Sequence, residues 1–448
     1  MRQRLDRSTG TDVAQKESHG SRIFYAVAGS AMTPLMSLAT APILAQSLGV
    51  VGRGELAAGM APMLFAVAVG ALGIPEALTY FIARQARGAR RAVRRAFWIL
   101  TLLGIAAAAL VTLSASLLAD GNAEIRQLIF VTAALTVPTF WASVPNSVLA
   151  GNHAWKQSAL IDFGLSALRL LVLAVMAAAN TLTPLAATIA MLGFPLLKGL
   201  VTLPYLIRYR RGSRNATAAR VRLFNYGSRL WVGSLAGVVL LRLDQLLMVP
   251  FANAAQLGLY SVAVSLGEIP ALLSSAVRNV VFSSDAESSH QREDQQRLQQ
   301  TARLTSAASA LASLGIGVSL PWAIPLFFGE TFGAAVAVCW VILAGVALGS
   351  AGSVAGAGLS ARGRPGLRSC GMVIGALLNT AILMVTVPTM GAMGAALATL
   401  AGSAVAGTMN IVWLRTHFGM TMRGFYGLRR HDLQLVHTTI SKMTDRKK

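Results

Sequence analysis

Carboxylates are scarce in this chain. It holds 17 Asp and Glu against 39 Lys and Arg in 448 residues, and charged residues of both signs make up only 12%. A soluble protein of this length needs a far larger charged surface, so a water-soluble globular domain is excluded. Cysteine is scarcer still, with only Cys339 and Cys370. Two cysteines without ligand spacing exclude a disulfide framework and a zinc site, and both read as small buried hydrophobes in or near apolar helices. Catalytic signatures are missing as well. There is no Walker glycine loop, no zinc-binding His pair and no nucleophile elbow. The reading is therefore not an enzyme, and neither a metal nor a resident cofactor is expected.

What is present is apolar length. Hydrophobic residues make up 54% of the chain. They gather in Ala/Leu/Val/Gly-rich runs of about 20 residues, enough to cross the hydrocarbon core as helix. Backbone polar groups in lipid must be satisfied internally, so the choice is helices or a closed barrel. Continuous runs favour helices over the alternating strands of a barrel. The expected fold is an all-α polytopic membrane protein of about 12 transmembrane helices, in two six-helix lobes around a central cavity. The predicted spans lie at 23–46, 56–81, 97–118, 127–149, 157–179, 184–207, 226–250, 258–282, 304–328, 333–358, 369–389 and 393–415.

The basic residues orient these spans. Every second polar break is rich in Arg and Lys. Thirty-two of the 39 fall in the segments on one side, whereas the other side holds only Arg53 and Arg126. Lys and Arg resist translocation, so both termini are expected in the cytoplasm of a bacterial inner membrane. The first 22 residues carry five basic residues and no apolar run, which reads as a cytoplasmic tail and not as a signal peptide. The expected units are a tail (1–22), an N-terminal lobe (23–207), a basic linker (208–225), a C-terminal lobe (226–415) and a basic tail (416–448). Loop 283–303 reads as a solvated helical link. Basic residues beside helix ends fit anionic lipid headgroups, not nucleic acid.

The chain also reads as doubled. Gly54 and Gly258 align, each opening a helix after an outer loop, and the halves on either side of the basic linker share one sense. That is the pattern of parallel repeats around a cavity.

Charge inside the spans marks the candidate site, because an ionisable group at bilayer depth is costly. Arg169, Lys198, Arg242, Asp244 and Glu268 are placed near the midplane. Three cations against two anions predict a net-positive interior and an anionic ligand. Arg in particular suits phosphate or pyrophosphate through bidentate donation. Structural ion pairing, such as Arg169 or Lys198 with Asp244 or Glu268, is the alternative for each. Arg242 and Asp244 are two positions apart, so they face different directions on a helix and are not expected to pair. Arg229 and Arg278 lie nearer the cytoplasmic face, as candidate entrance residues or as side chains that snorkel to headgroups. Asp162 and Glu76 read as solvated or capping carboxylates. Gly73-Ile-Pro75, Gly193-Phe-Pro195 and Gly267-Glu268-Ile-Pro270 interrupt helices, as kinks or as bending points.

Several segments together resemble a known family. Leu241-Arg-Leu-Asp244-Gln-Leu-Leu247, Gly258-Leu-Tyr-Ser-Val-Ala263 and Glu268-Ile-Pro270 resemble the seventh and eighth helices of polysaccharide-unit flippases (Wzx type). These belong to the multidrug/oligosaccharidyl-lipid/polysaccharide exporter superfamily. Leu48-Gly-Val-Val-Gly-Arg-Gly54, Gly73-Ile-Pro-Glu-Ala-Leu-Thr-Tyr80, Leu149-Ala-Gly151, Gly363-Arg-Pro365 and Gly391-Ala-Met-Gly-Ala-Ala396 fit the same order, and the likeness spans most of 23–415. The resemblance implies an alternating-access flippase that moves an undecaprenyl-pyrophosphate-linked oligosaccharide from the inner to the outer leaflet. Polysaccharide polymerase and glycosyltransferases are the implied partners, besides membrane lipids. Arg169, Lys198 and Arg242 would line the substrate cavity, and Asp244 and Glu268 are candidates for proton or sodium coupling. The first span carries no charge, unlike the cationic first helix of lipid II flippases. The alternatives are a multidrug/cation antiporter, for which the interior has the wrong sign, and a non-transporting scaffold for polysaccharide assembly. A membrane glycosyltransferase is disfavoured by outer loops of about ten residues or fewer.

Overall fold

In the computed structural model the described residues are 19–83, 89–152, 154–212, 223–287, 291–427 and 432. Among them the chain is helical and has no strands. The long helices are α1 (His19–Gly70), α2 (Ile74–Ala83), α3 (Ala89–Ala119), α4 (Ala123–Gly151), α5 (Trp155–Ala178), α6 (Pro184–Gly212), α7 (Leu223–Phe251), α8 (Ala254–Glu287), α9 (Gln291–Phe328), α10 (Ala335–Ala361), α11 (Pro365–Met390) and α12 (Ala392–Phe418). Among the described residues, nine helices are long and apolar enough to cross a membrane. Each of the twelve predicted spans falls on a helix. The first two share α1, and the second runs on into α2.

Local chemistry sets these boundaries. Within α1, Gly49 takes φ 66 and ψ −176, a conformation that bends the chain between the first and second spans. Left-handed Leu72 (φ 47) and Gly73 (φ 66) part α1 from α2. The predicted Gly73-Ile-Pro75 interruption is thus a true break. Asn122 caps α4 by accepting from the Glu124 and Ile125 amides at 2.9 and 3.1 Å, satisfying donors that a helix start leaves free. Pro365 opens α11, where its missing N–H costs nothing.

Helices α1–α6 pack into one lobe and α7–α12 into the other, and the seam between them runs chiefly along α1 against α8 and α7. Small residues set the closest contacts within the second lobe. A Cβ on Gly352 of α10 would collide with Gly407 of α12, and one on Gly375 of α11 would press on the Gly402 carbonyl of α12. Close backbone approach of this kind replaces the hydrophobic driving force that helices lack in lipid.

One end of the bundle is basic. Exposed Arg91, Arg94 and Arg95 start α3, Arg362 and Arg364 stand at the α10–α11 turn, and Arg415 closes α12. The segment 283–303 is more than a solvated link. Its last residues start α9, and Arg303 is buried. The Arg303 guanidinium grips Asp432 through Nε (2.7 Å) and Nη2 (2.8 Å), while Nη1 donates to the Gly424 carbonyl at 2.7 Å. The chain after α12 is therefore folded back here, through a short 3-10 turn at Met422–Phe425. Most of the expected first tail (1–18 of 1–22), most of the linker (213–222) and residues 428–431 and 433–448 lie outside the described residues. Cys339 is buried as expected, whereas Cys370 is exposed, because α11 turns that face out of the bundle.

Candidate functional site

A cavity of about 410 Å³ lies in the second lobe, walled by α7, α8, α10, α11 and α12. Its charged lining residues are Arg242, Asp244, Glu268 and Arg368. The remaining wall is mostly apolar or small.

Asp244 is its most constrained member. It is 2% exposed. The Tyr260 hydroxyl donates to Asp244 Oδ2, and Thr399 Oγ1 donates to the same oxygen at 3.3 Å. The Gln245 amide donates to Oδ1 at 2.7 Å, and Tyr260 Oη lies 3.0 Å from Thr399 Oγ1. Three helices thus meet at one carboxylate, which is how a charge is kept in an apolar interior. The three residues stand at one level, each about seven residues or about 10 Å from the non-basic end of its helix. Glu268 sits deeper along α8, about 21 Å from the same end.

Arg242 and Asp244 point apart, as a two-residue spacing on a helix requires. Arg242 is exposed into the cavity and makes no hydrogen bond or ion pair among the described residues. Its charge is within electrostatic reach of both Asp244 and Glu268.

The other two predicted cations stand elsewhere. Arg169 on α5 is 6% exposed. Its Nη2 donates to Ser37 Oγ at 3.4 Å, and its Nε is buried without a partner. Lys198 on α6 pairs with Asp162 on α5 at 2.7 Å, with both side chains about one-fifth exposed. Ser158 Oγ also donates to that carboxylate at 3.3 Å. Asp162 is thus an ion-pair partner within the first lobe, while Glu76 is exposed in the first turn of α2. Neither Arg169 nor Lys198 lines the second-lobe cavity. Arg229 and Arg278 stand on α7 and α8, and their side chains lie outside the described ones.

Sequence reasoning missed three lining residues. Arg368 was counted with a loop, yet α11 begins three residues earlier and carries it into the wall. Tyr260 and Thr399 bear no charge. A Tyr inside an apolar run was the one signal for the first, and nothing marked the second.

Two packed lobes of membrane helices, with ionisable groups held in an internal cavity, define a transporter-like architecture. The solved structures agree on the fold. A lipid II flippase, MurJ, in an inward closed conformation matches at TM-score 0.70 and 15% identity, over 90% of this chain and 89% of that one. An inward-facing multidrug resistance transporter of the MATE family in the MOP superfamily matches at TM-score 0.68 and 14% identity, over 88% and 98%. Residues 43–337 match the family described as polysaccharide biosynthesis protein, and the chain belongs to that family. A relative from Haloferax volcanii, named "Probable low-salt glycan biosynthesis flippase Agl15", is 27% identical over 224 residues, which is 49% of this chain. The match spans 46% of that relative, somewhat under half its length.

Proposed function

We propose that this protein is a flippase for glycan biosynthesis. It carries an oligosaccharide linked to undecaprenyl pyrophosphate from the inner to the outer leaflet, by alternating access between its lobes. The observation that carries this reading is Arg242, an unpaired guanidinium held inside a mostly apolar cavity of a transporter-like fold. A guanidinium that no carboxylate grips is open to an anion, and a pyrophosphate can meet it with two parallel hydrogen bonds. The family match and the relative's printed name support the glycan as cargo.

Arg169 and Lys198 would face the same cargo from the first lobe. The buried unpartnered Nε of Arg169 supports that role, whereas Lys198 already has Asp162 and would have to exchange it. Arg229 and Arg278 would line the cytoplasmic entrance. The basic end, the tails and the 208–225 linker would lie in the cytoplasm of a bacterial inner membrane, because Lys and Arg resist translocation. Polymerase and glycosyltransferases would act on either side of the step. Asp244 and Glu268 would couple transport to protons or sodium. The carboxylate of Asp244 with the hydroxyls of Tyr260 and Thr399 is an all-oxygen set, suited to either ion.

The test is a leaflet-sidedness assay in proteoliposomes with labelled lipid-linked glycan, with and without an ion gradient. Protein-dependent movement of label between leaflets is expected. A rate equal to that of empty liposomes overturns the proposal.

A further inference from the structure

Near its basic end a side chain bonds across the seam between the lobes. The indole Nε1 of Trp231 on α7 donates to the carbonyl oxygen of Val69 on α1 at 2.6 Å. That carbonyl is available for a structural reason. In an unbroken helix it would accept from the Gly73 amide four residues on. The left-handed turn at Leu72 and Gly73 breaks that register, and α2 restarts with the Ala77 amide bonding the Gly73 carbonyl at 3.0 Å. A backbone acceptor left without a donor away from water is costly, so a donor that reaches it is favoured.

The opposite end of the seam is built differently. There α1 and α8 touch backbone to backbone at Gly54 and Gly258. Nearby, Gln46 Nε2 reaches across to the Phe327 carbonyl of α9 at 2.9 Å. Backbone contact over a helix crossing separates only if whole helices move. Near the basic end a side chain bonds a helix break, the kind of contact that a small rotation can release.

We propose that the Trp231–Val69 bond is a latch at the basic end of the seam, and that its release lets the lobes part there and opens the second-lobe cavity toward that end. This rests on the alternating-access reading above. Trp231 is a positioning residue in this account. It does not touch the cargo, and it sets which side of the membrane the cavity faces. The break before Pro75 then has a function beyond bending, since it manufactures the acceptor that the other lobe must hold. In the closed form, the second lobe's α7 is anchored on the end of α1, and the lobes cannot part at that end. Once the bond is lost, α7 still packs on α1, α2 and α3 but without this hydrogen bond across the seam.

The experiment reads opening without any cargo. In a Cys339→Ala/Cys370→Ser background, a reporter Ser403→Cys in the cavity wall is labelled in inverted membrane vesicles with an impermeant maleimide. Trp231→Phe keeps the ring and removes the donor. Losing one net hydrogen bond predicts labelling from the basic side about two- to tenfold faster. Gly73→Ala strains the left-handed turn that presents this acceptor, so an increase in the same direction is expected. Gln46→Ala, at the other end of the seam, should not raise labelling from this side. Labelling at the parental rate, in whichever of Trp231→Phe and Gly73→Ala accumulates normally, overturns the latch. Flipping failure with altered labelling would overturn the flippase reading and leave the latch standing, so the two outcomes separate.

Discussion

Gly54 of α1 and Gly258 of α8 meet across the seam between the lobes. A Cβ on Gly54 would collide with the Ala254 carbonyl oxygen, and a Cβ on Gly258 with the Val50 carbonyl oxygen. These are the two positions that align when the first half of the chain is laid on the second. Residues equivalent in a doubled sequence come together in space when they lie near the axis that relates the halves. The contact is reciprocal, as such an axis requires, with each glycine facing the helix turn that precedes the other.

Gly54→Val or Gly258→Val should therefore split the seam. Overpacking of a tight site costs about 1–3 kcal/mol, and here backbone, not a flexible side chain, stands in the way. Thermal unfolding in detergent should show a clear loss for each, whereas Gly164→Ala, which has open space around it, should leave the midpoint unchanged.

Arg242→Ala should abolish glycan flipping with normal protein abundance. The side chain is exposed to the cavity and makes no hydrogen bond or ion pair among the described residues, so its removal breaks no such bond. Arg169→Ala and Lys198→Ala should also stop flipping. Lys198→Ala strips Asp162 of its ion pair and should lower abundance too. Quantitative immunoblots beside the sidedness assay distinguish the patterns, and wild-type flipping by all three would remove the cationic site.

Asp244→Asn preserves the size of the group and removes its charge. The ion-gradient dependence of flipping should disappear while the protein still folds, because Tyr260 and Thr399 keep an oxygen acceptor. Flipping stimulated by the same gradient to the same degree would show that coupling lies elsewhere.

Arg303→Ala would leave Asp432 buried without its cation. Breaking one side of a buried pair costs about 3–5 kcal/mol, and the Gly424 carbonyl loses its donor as well. The expected result is faster proteolysis of the chain beyond α12 and a lower unfolding midpoint. Asp432→Asn should reproduce most of the effect.

Much of this molecule was legible beforehand because the bilayer simplifies the problem. Apolar runs, the alternation of basic breaks and the break at Gly73-Ile-Pro75 all act locally, through backbone satisfaction and through the cost of moving cations across lipid. Asp244 stood out for the same reason. Arg368 did not, since only helix α11 beginning at Pro365 carries it inward. The partner of Lys198 was also hidden. The expected carboxylates were Asp244 and Glu268, but a helix has no sequence signal for which neighbour its face will meet, and α6 packs on α5, where Asp162 waits.

The amino-acid sequence by itself determined that this is a helical membrane protein, where its helices run and break, and which charges lie within its apolar runs. These follow from solvation, which each residue meets with its own side chain and its own peptide group. Only the tertiary structure decided that Arg242, Asp244 and Glu268 share a cavity while Arg169 and Lys198 stand in the other lobe. It alone decided that Tyr260 and Thr399 close on Asp244, and that Trp231 takes the carbonyl of Val69. Those relations depend on which helix faces join, and that choice rests on the close fit of small residues such as Gly54, Gly258, Gly352 and Gly407 between helices distant in the chain.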